Sequence, residues 1–212
     1  SVLKATSLQS LSNQSDWSHM SLTLTVKPTL IDRVVPNSLA TDVALVLGGA
    51  ALTALAAQLS IPAQPVPFTF QTLSVLLVGT ALGSVRGALS MLVYLLAGLA
   101  LPVYADGASG VTVLFGATGG YLIGFVLAAA LVGYLGETVL SKNVFGMLLS
   151  FVAGSAVIYG LGVTVLAATV FGWDMPKAAE AGVYPFLIWD GLKAVIAAGL
   201  VPAAWKLTKR SK

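Results

Sequence analysis

Two opposite charges lie three residues apart in an otherwise apolar part of the sequence. Asp190 and Lys193 belong to the segment Trp189-Asp190-Gly191-Leu192-Lys193, and this spacing places both side chains on one face of a helix. Ionisable groups at membrane depth are costly, so they normally face a polar cavity or each other. The pair therefore indicates ligand contact or, alternatively, a salt bridge near the membrane surface with Lys193 extended toward water.

The two charges favour a ligand with two different ends. Lysine offers a positive charge and three donors to a carboxylate, whereas aspartate accepts hydrogen bonds from neutral N–H groups and repels a second anion. A small molecule with an acidic end and an N–H-bearing end satisfies both. Aromatic residues predicted near the same membrane face could enclose its apolar middle, although each is otherwise typical of an interfacial belt: Phe68, Phe70, Tyr104 and Trp189.

Other kinds of chemistry lack the residues that they need. The chain has no cysteine, and its single histidine, His19, lies in a polar first segment, so zinc and Ser-His-Asp chemistry are not expected. The sequence has no Gly-x-x-x-x-Gly-Lys-Ser/Thr phosphate-binding loop. An intramembrane enzyme would have to use Asp106, Glu137 and Asp190, which are scattered over three regions. We therefore predict no enzyme activity, no catalytic residue, no metal and no cofactor.

The composition predicts that these residues are set in a membrane protein. Hydrophobic residues make up 57% of the 212 residues and charged residues 9%, against roughly 25% charged residues in an average soluble protein. The fold class is an all-α membrane protein with six transmembrane helices of the length that a bilayer requires. Their predicted bounds are about 39–59, 71–83, 87–101, 118–136, 145–170 and 185–207.

A Pro-rich segment separates the first two predicted helices. Pro62, Pro65 and Pro67 exclude a helix there. The second helix is only about 20 Å long, too short to cross a bilayer alone. It is therefore expected to share its crossing with the Pro-rich segment, which must be buried in protein or line a cavity. A long Gly-rich loop is predicted over residues 103–117.

The lysines and arginines near the span ends predict that both termini are cytoplasmic. On the cytoplasmic side lie Lys27, Arg33, Arg86, Lys142, Lys206, Lys209, Arg210 and Lys212, and on the outer side lies Lys177. The predicted organisation is a polar tail (1–36), a membrane domain (37–208) and a basic tail (209–212). Residues 1–20 are either native or vector-derived, because Ser18-His19-Met20 is typical of a cloning junction.

Small residues form two rows along the first helix. Gly49-x-x-x-Thr53-x-x-x-Ala57 and Ala50-x-x-x-Ala54 would let another helix approach closely. The rows serve either the protein's own bundle or a contact face for another membrane subunit.

Five blocks of the sequence, taken in order, resemble the BioY family of biotin-specific substrate-binding (S) components of energy-coupling factor transporters. The blocks are Pro65-Val66-Pro67-Phe68-Thr69-Phe70-Gln71-Thr72, Arg86-Gly87-Ala88, Tyr94-Leu95-Leu96-Ala97-Gly98 with Leu101-Pro102-Val103-Tyr104-Ala105, Gly116-Ala117-Thr118-Gly119-Gly120-Tyr121-Leu122-Ile123-Gly124-Phe125, and Asp190-Gly191-Leu192-Lys193. The resemblance extends from about residue 39 to residue 207.

The resemblance implies a function that fits the two charges. Family members have six spans in the prokaryotic cell membrane, bind biotin from outside beneath the loop between helices 1 and 2, and lack their own ATPase. They work with a transmembrane coupling subunit and two ATP-binding cassette ATPases, and the S component is thought to topple to release the vitamin. Biotin carries a carboxylate, an apolar thioether ring and a ureido ring with two N–H groups.

The resemblance also implies roles for individual residues. Lys193 would pair with the biotin carboxylate and Asp190 would accept from the ureido N–H groups, while Ala50 and Ala54 match the family's contact for the coupling subunit. The lid loop would contain Pro65, Pro67, Phe68 and Thr69. Gln71, Tyr94 and Tyr121 either contact the vitamin or support the loops, and Tyr104 is a further candidate contact. Asp106 either contacts the ligand or faces water. Asp106 departs from the family pattern, since many relatives have glycine there.

Three other functions stay open at this point. The chain could be an S component for a different vitamin, an intramembrane enzyme that acts on a lipid or a biotin precursor, or an assembly subunit without a ligand.

Overall fold

The computed structural model describes residues 29, 31–36, 38–137 and 143–210, and most of them are helical. The helices are α1 (Leu39–Gln58), α2 (Gln71–Leu82), α3 (Ser84–Ala97), α4 (Val111–Leu114), α5 (Gly119–Gly136), α6 (Val144–Thr169), α7 (Met175–Gly182) and α8 (Tyr184–Arg210). Two short strands, β1 (Ser60–Ile61) and β2 (Phe68–Thr69), pair as an antiparallel hairpin, and 3-10 turns cover Ile31–Arg33 and Ala105–Gly107.

Three of these helices, α1, α5 and α6, are each long and apolar enough to cross a bilayer, and α2 and α3 are shorter apolar helices. The predicted helical membrane fold is therefore confirmed. The count of six spans and the cytoplasmic location of both termini stay predictions. Residues 1–28, Lys142 and Lys212 lie outside the described residues.

Local chemistry explains where several helices begin. Ser38 Oγ accepts a 3.1 Å hydrogen bond from the backbone N–H of Thr41 at the start of α1. Asn143 Oδ1 accepts a 2.6 Å bond from the N–H of Gly146 at the start of α6. Such caps satisfy N–H groups that have no partner within the helix. Between α2 and α3 the chain reverses at Gly83, whose φ of 87° favours glycine.

Helix α5 lies at the centre of the bundle and packs against α2, α3 and α6. Its small residues permit close approach: a Cβ atom on Gly124 would lie 3.0 Å from the Cα atom of Ile158 on α6. On the α2 side, a Cβ atom on Gly79 would lie 2.7 Å from the carbonyl oxygen of Ala129. Helix association in a bilayer depends on such close packing, because lipid tails are as apolar as the side chains.

Two short helices were not predicted. Helix α4 lies inside the predicted Gly-rich loop, and α7 lies between the last two predicted spans. The sequence did contain a signal for α7, since Asp174 caps its N-terminus through a 3.1 Å bond from the N–H of Lys177 and Pro176 occupies its first turn. Helix α3 ends at Ala97, before the predicted residue 101, because a turn covers residues 98–100.

The small-residue rows of α1 face the protein's own bundle at most of their positions. Ala50 is only 7% exposed and belongs to the main hydrophobic core, and Thr53 is fully buried. Ala54 is half-buried and packs against the same core. The exposed side of α1 instead carries large apolar residues: Val43, Leu47, Leu52 and Leu55. Ala50 therefore packs within the bundle, and its contact with another membrane subunit stays a prediction.

The segment before α1 is held against α3 by charges. Arg86 binds Asp32 Oδ1 at 2.6 Å and Asp42 Oδ1 at 2.8 Å. Asp32 Oδ2 also accepts bonds of 2.7 and 2.8 Å from the backbone N–H and Oγ1 of Thr29. These contacts join the end of the predicted polar tail to the first turn of α3.

Candidate ligand-binding site

A cavity of about 270 Å³ lies beneath the β1–β2 hairpin. Its walls come from α2, α5, α6 and α8, and its roof from the hairpin and the loop that contains α4. This volume is close to the lower end of the range typical of small-molecule sites, and most of the lining is apolar. The arrangement therefore suits one small organic molecule.

The hairpin, residues 60–69, is called the lid hairpin below. Ser60 pairs with Thr69 at its base, and Pro65, Val66 and Pro67 at its tip line the cavity. Val66 is buried there, so the tip closes one side of the cavity. Phe68 does not line the cavity.

The segment 103–106, on the other side of the roof, is hydrogen-bonded to the base of the lid hairpin and to the end of α1. Ser60 Oγ donates a hydrogen bond to Asp106 Oδ1, and Gln58 Nε2 donates to the carbonyl oxygens of Val103 and Tyr104 at 3.4 and 3.1 Å. Asp106 has a φ of 58°, a left-handed conformation that aspartate tolerates better than most residues. Its carboxylate is bonded to Ser60, and Asp106 is not among the lining residues.

Asp190 and Lys193 form the predicted pair on one face of α8. Lys193 Nζ lies 2.8 Å from Asp190 Oδ1, and the two side chains are 14% and 10% exposed. Asp190 lines the cavity, but Lys193 does not. The ammonium of Lys193 is instead directed at the lid hairpin, where it donates a 2.7 Å hydrogen bond to the carbonyl oxygen of Thr69. The structure thus brings the predicted pair together but turns only the aspartate toward the cavity.

Two residues that the sequence reasoning missed also hold the Asp190 carboxylate. Tyr159 Oη on α6 donates to Oδ2 at 2.6 Å, and Thr72 Oγ1 on α2 donates to Oδ1 at 3.2 Å. A carboxylate has about four acceptor positions. With Lys193 as the third donor, about one position stays open to a ligand N–H group.

A second polar group in the cavity wall is Gln71, at the start of α2. Its Nε2 donates a 2.6 Å bond to Tyr94 Oη, and its Oε1 accepts a 3.0 Å bond from Thr69 Oγ1. Gln71 lines the cavity, whereas Tyr94 is fully buried behind it. Tyr94 packs edge-on against Tyr104, with 5.7 Å between ring centroids. Tyr94 therefore supports the wall and does not form it.

Tyr104 belongs to the roof and lines the cavity. Its phenol donates a 2.6 Å hydrogen bond to the carbonyl oxygen of Leu95, and burial raises the pKa of this phenol above its usual range. The group is therefore neutral over the whole physiological pH range. Its ring, and not its bonded hydroxyl, is what it offers to a ligand.

The apolar part of the cavity is an aromatic wall. Tyr121 on α5 and Tyr159 on α6 pack edge-on with centroids 6.3 Å apart, and Phe186 on α8 lies 6.4 Å from Tyr159. Phe68 of the lid hairpin stacks on Phe186 at 4.3 Å. Tyr121 Oη donates a 2.9 Å bond to the carbonyl oxygen of Gly182, which fixes its ring. The wall therefore joins three helices to the lid.

Tyr159 and Phe186 were missed because an aromatic residue within an apolar helix is typical of core packing or of the lipid-facing surface. Two aromatic residues that the sequence suggested, Phe70 and Trp189, are about half exposed and do not line the cavity. The predicted candidates that do line it are Pro65, Pro67, Thr69, Gln71, Tyr104, Tyr121 and Asp190.

The charge in the cavity wall is negative. Among the described residues, no lysine, arginine or histidine lines the cavity, and no group of three or more His, Asp or Glu residues could hold a metal ion. The wall can accept hydrogen bonds from N–H groups at Asp190 and enclose apolar rings between aromatic side chains.

Comparisons with known proteins agree with this geometry. Aligned segments are 46% identical to "Biotin transporter BioY" of Thermotoga maritima over 83 residues, which cover 39% of this chain and 49% of the relative. They are 44% identical to "Biotin transporter BioY2" of Lactococcus lactis over 89 residues, or 42% of this chain and 49% of the relative. The chain thus matches about half the length of these relatives.

The fold matches a solved structure described as the S-component for biotin from an ECF-type ABC transporter. The TM-score is 0.72 at 23% identity, with 81% of this chain and 94% of that chain covered. A family model described as the BioY family matches residues 23–210. On this evidence the chain belongs to the BioY family.

Proposed function

We propose that the chain is the biotin-binding specificity subunit of an energy-coupling factor uptake transporter. The observation that carries the proposal is the Asp190 carboxylate, which is only 10% exposed, lines the cavity beneath the lid hairpin and keeps about one acceptor position free. The relatives named above are biotin transporters, and biotin is a small molecule with N–H groups at one end. An S component for a different vitamin is the alternative.

The proposed pose follows from the two kinds of wall. The ureido ring lies at Asp190, which accepts from one N–H group, with Gln71 nearby. The thioether ring and the aliphatic chain lie along the aromatic wall of Tyr121, Tyr159 and Phe186, which excludes water. The Pro65–Pro67 tip of the lid hairpin covers the ligand. Burial of apolar ligand surface and a single charge-assisted hydrogen bond then supply affinity and orientation.

We propose six spans in a prokaryotic cell membrane, with both termini in the cytoplasm. Helices α2 and α3 and helix α8 join the three long apolar helices as spans. The excess of lysine and arginine on one side supports this orientation, in which the lid hairpin and the loop with α4 face outward. Biotin then enters from outside beneath the lid.

The energy for uptake is proposed to come from partners, since the sequence contains no phosphate-binding loop. The partners are a transmembrane coupling subunit and two ATP-binding cassette ATPases. We propose the contact with the coupling subunit on the exposed side of α1, which Ala54 borders. Support comes from Gly48 on that side, where a Cβ atom would meet no other heavy atom within 4 Å, so another helix can approach closely.

Mass spectrometry of small molecules released from the gently purified full chain tests this function. Biotin should be the main released compound after expression in biotin-containing medium. A different vitamin would favour the alternative, and a competition panel of vitamins would then identify it. A chain that binds no small molecule in either assay would contradict both, and product formation by the purified chain alone would point to an enzyme.

A further inference from the structure

The ammonium group of Lys193 has no hydrogen-bond donor left for a ligand. An ammonium carries three N–H donors. They match three protein acceptors: Asp190 Oδ1 at 2.8 Å, the carbonyl oxygen of Thr69 at 2.7 Å and Thr72 Oγ1 at 3.4 Å. The ring of Phe70 lies 5.4 Å from Nζ and covers a further side of the group. Lys193 thus sits behind the cavity wall with all its donors occupied.

The position of Lys193 provides the Asp190 carboxylate with an ion-pair partner behind the apolar wall. A buried charge without a partner is strongly destabilising, whereas a paired and hydrogen-bonded charge is tolerated. Lys193 neutralises Asp190 from the side away from the cavity, while Tyr159 and Thr72 fix the plane of its carboxylate. The oxygen atoms of Asp190 are therefore held in a fixed direction before a ligand arrives.

Lys193 also connects the lid hairpin to α8. Thr69 is the last residue of β2, and its carbonyl oxygen accepts the shortest of the three Lys193 bonds. The same residue bonds Gln71 through its hydroxyl group. One ammonium therefore fixes the base of the lid and the ligand-facing carboxylate relative to each other.

From this geometry we infer that Lys193 is a positioning residue: it acts on the ligand through Asp190 and the lid hairpin, and it does not pair with the ligand carboxylate. The inference rests on the proposed function, and it assigns Lys193 a different role from the one that the family resemblance implies. The acidic end of biotin then lies away from α8, where no positively charged residue lines the described part of the cavity wall.

The test compares biotin with biotinamide, in which a neutral carboxamide replaces the carboxylate. Dissociation constants for both ligands are measured with the full chain in lipid nanodiscs, for the unchanged protein, Lys193→Met, Asp190→Asn and the double variant. Lys177→Met is the matched control, because Lys177 is an exposed lysine whose partner, Asp174, lies away from the cavity. The double variant removes both buried charges, so it stays informative if Lys193→Met alone does not fold.

Lys193→Met is expected to lower the affinity for both ligands by the same factor, about tenfold. The ratio of the biotin affinity to the biotinamide affinity should then stay unchanged within about twofold. When Asp190→Asn is already present, Lys193→Met should lower the affinity by less than about threefold, because Lys193 acts mainly through Asp190. If Lys193 had a merely structural role, Lys193→Met would lower the affinity by the same factor with and without Asp190→Asn, and this result would overturn the inference.

A direct contact with the ligand carboxylate would also overturn the inference. In that case Lys193→Met would lower the biotin-to-biotinamide ratio by about tenfold or more, in the single and in the double variant. If the unchanged chain binds neither ligand, the proposed function fails and the inference fails with it. If the chain binds biotin and Lys193→Met lowers the biotin-to-biotinamide affinity ratio by about tenfold, only the inference fails.

Discussion

Tyr159 on α6 donates a 2.6 Å hydrogen bond to Oδ2 of Asp190 on α8. The two residues lie 31 positions apart in the sequence, and both line the cavity. Tyr159 also packs between Tyr121 and Phe186. One side chain therefore orients the charged acceptor and forms part of the apolar wall.

Tyr159→Phe is expected to weaken biotin binding by about tenfold, because hydrogen bonds to charged groups contribute about 1.5–3 kcal/mol. The ring and the aromatic wall are kept. Tyr134→Phe is the matched control, since Tyr134 is 60% exposed on α5. Titration calorimetry measures both variants. Equal affinities for Tyr159→Phe and the unchanged chain would show that the phenol does not orient Asp190.

The helices were largely predictable because their ends carry local signals. Gly83 and the prolines at 62, 65 and 67 delimit α2 without any knowledge of tertiary contacts. The direction of each side chain was not predictable in the same way. The spacing of Asp190 and Lys193 predicts a shared face but does not tell which head group turns toward a cavity.

The site residues that the sequence did not predict depend on tertiary contacts. Tyr159 and Phe186 acquire their role only because α6 and α8 meet beside the lid hairpin. Ala50 fits a partner-contact motif as well as an internal packing motif, and its sequence context does not distinguish the two. Apolar spans contain many small and aromatic residues, so sequence pattern alone does not select among them.

Gly120→Ala is expected to destabilise the bundle. The added Cβ atom would overlap the carbonyl oxygen of Leu161 and lie 2.7 Å from the Cβ atom of Val165 on α6, and overpacking of this kind costs about 1–3 kcal/mol. The unfolding temperature in detergent should fall clearly.

Gly160→Ala is the matched control for that substitution. A Cβ atom on Gly160 meets no heavy atom within 4 Å, and alanine has the higher helix propensity by up to about 1 kcal/mol. The control should therefore unfold at the same temperature as the unchanged chain or slightly above it. If the unfolding temperature fell equally in Gly120→Ala and Gly160→Ala, α5 and α6 would not pack as closely as described.

Acid should weaken the contact between the N-terminal segment and α3. Burial alone would raise the pKa of Asp32, but hydrogen bonds from Arg86 and Thr29 outweigh it and hold this pKa below the usual 3.8. The stabilisation is therefore complete above pH 3.8 and is lost as the pH falls through the lower, folded-state value.

Asp32→Asn should remove that part of the acid dependence. The unchanged chain should lose more thermal stability than the variant as the pH falls below 3.8, because only the unchanged chain has the carboxylate to protonate. Asp174→Asn is the control: hydrogen bonds from Lys177 lower the pKa of Asp174, but the pair is exposed and screened by water. Identical acid profiles for the unchanged chain and Asp32→Asn would contradict the described contact.

The most direct test of the account is calorimetric titration of biotin into the full chain in nanodiscs, with and without Asp190→Asn. This substitution keeps the shape of the side chain and removes its charge. The account predicts saturable binding to one site and a loss of at least about tenfold in the variant, which corresponds to about 1.4 kcal/mol. Unchanged affinity in a folded Asp190→Asn protein, or no binding by the unchanged chain, would contradict it.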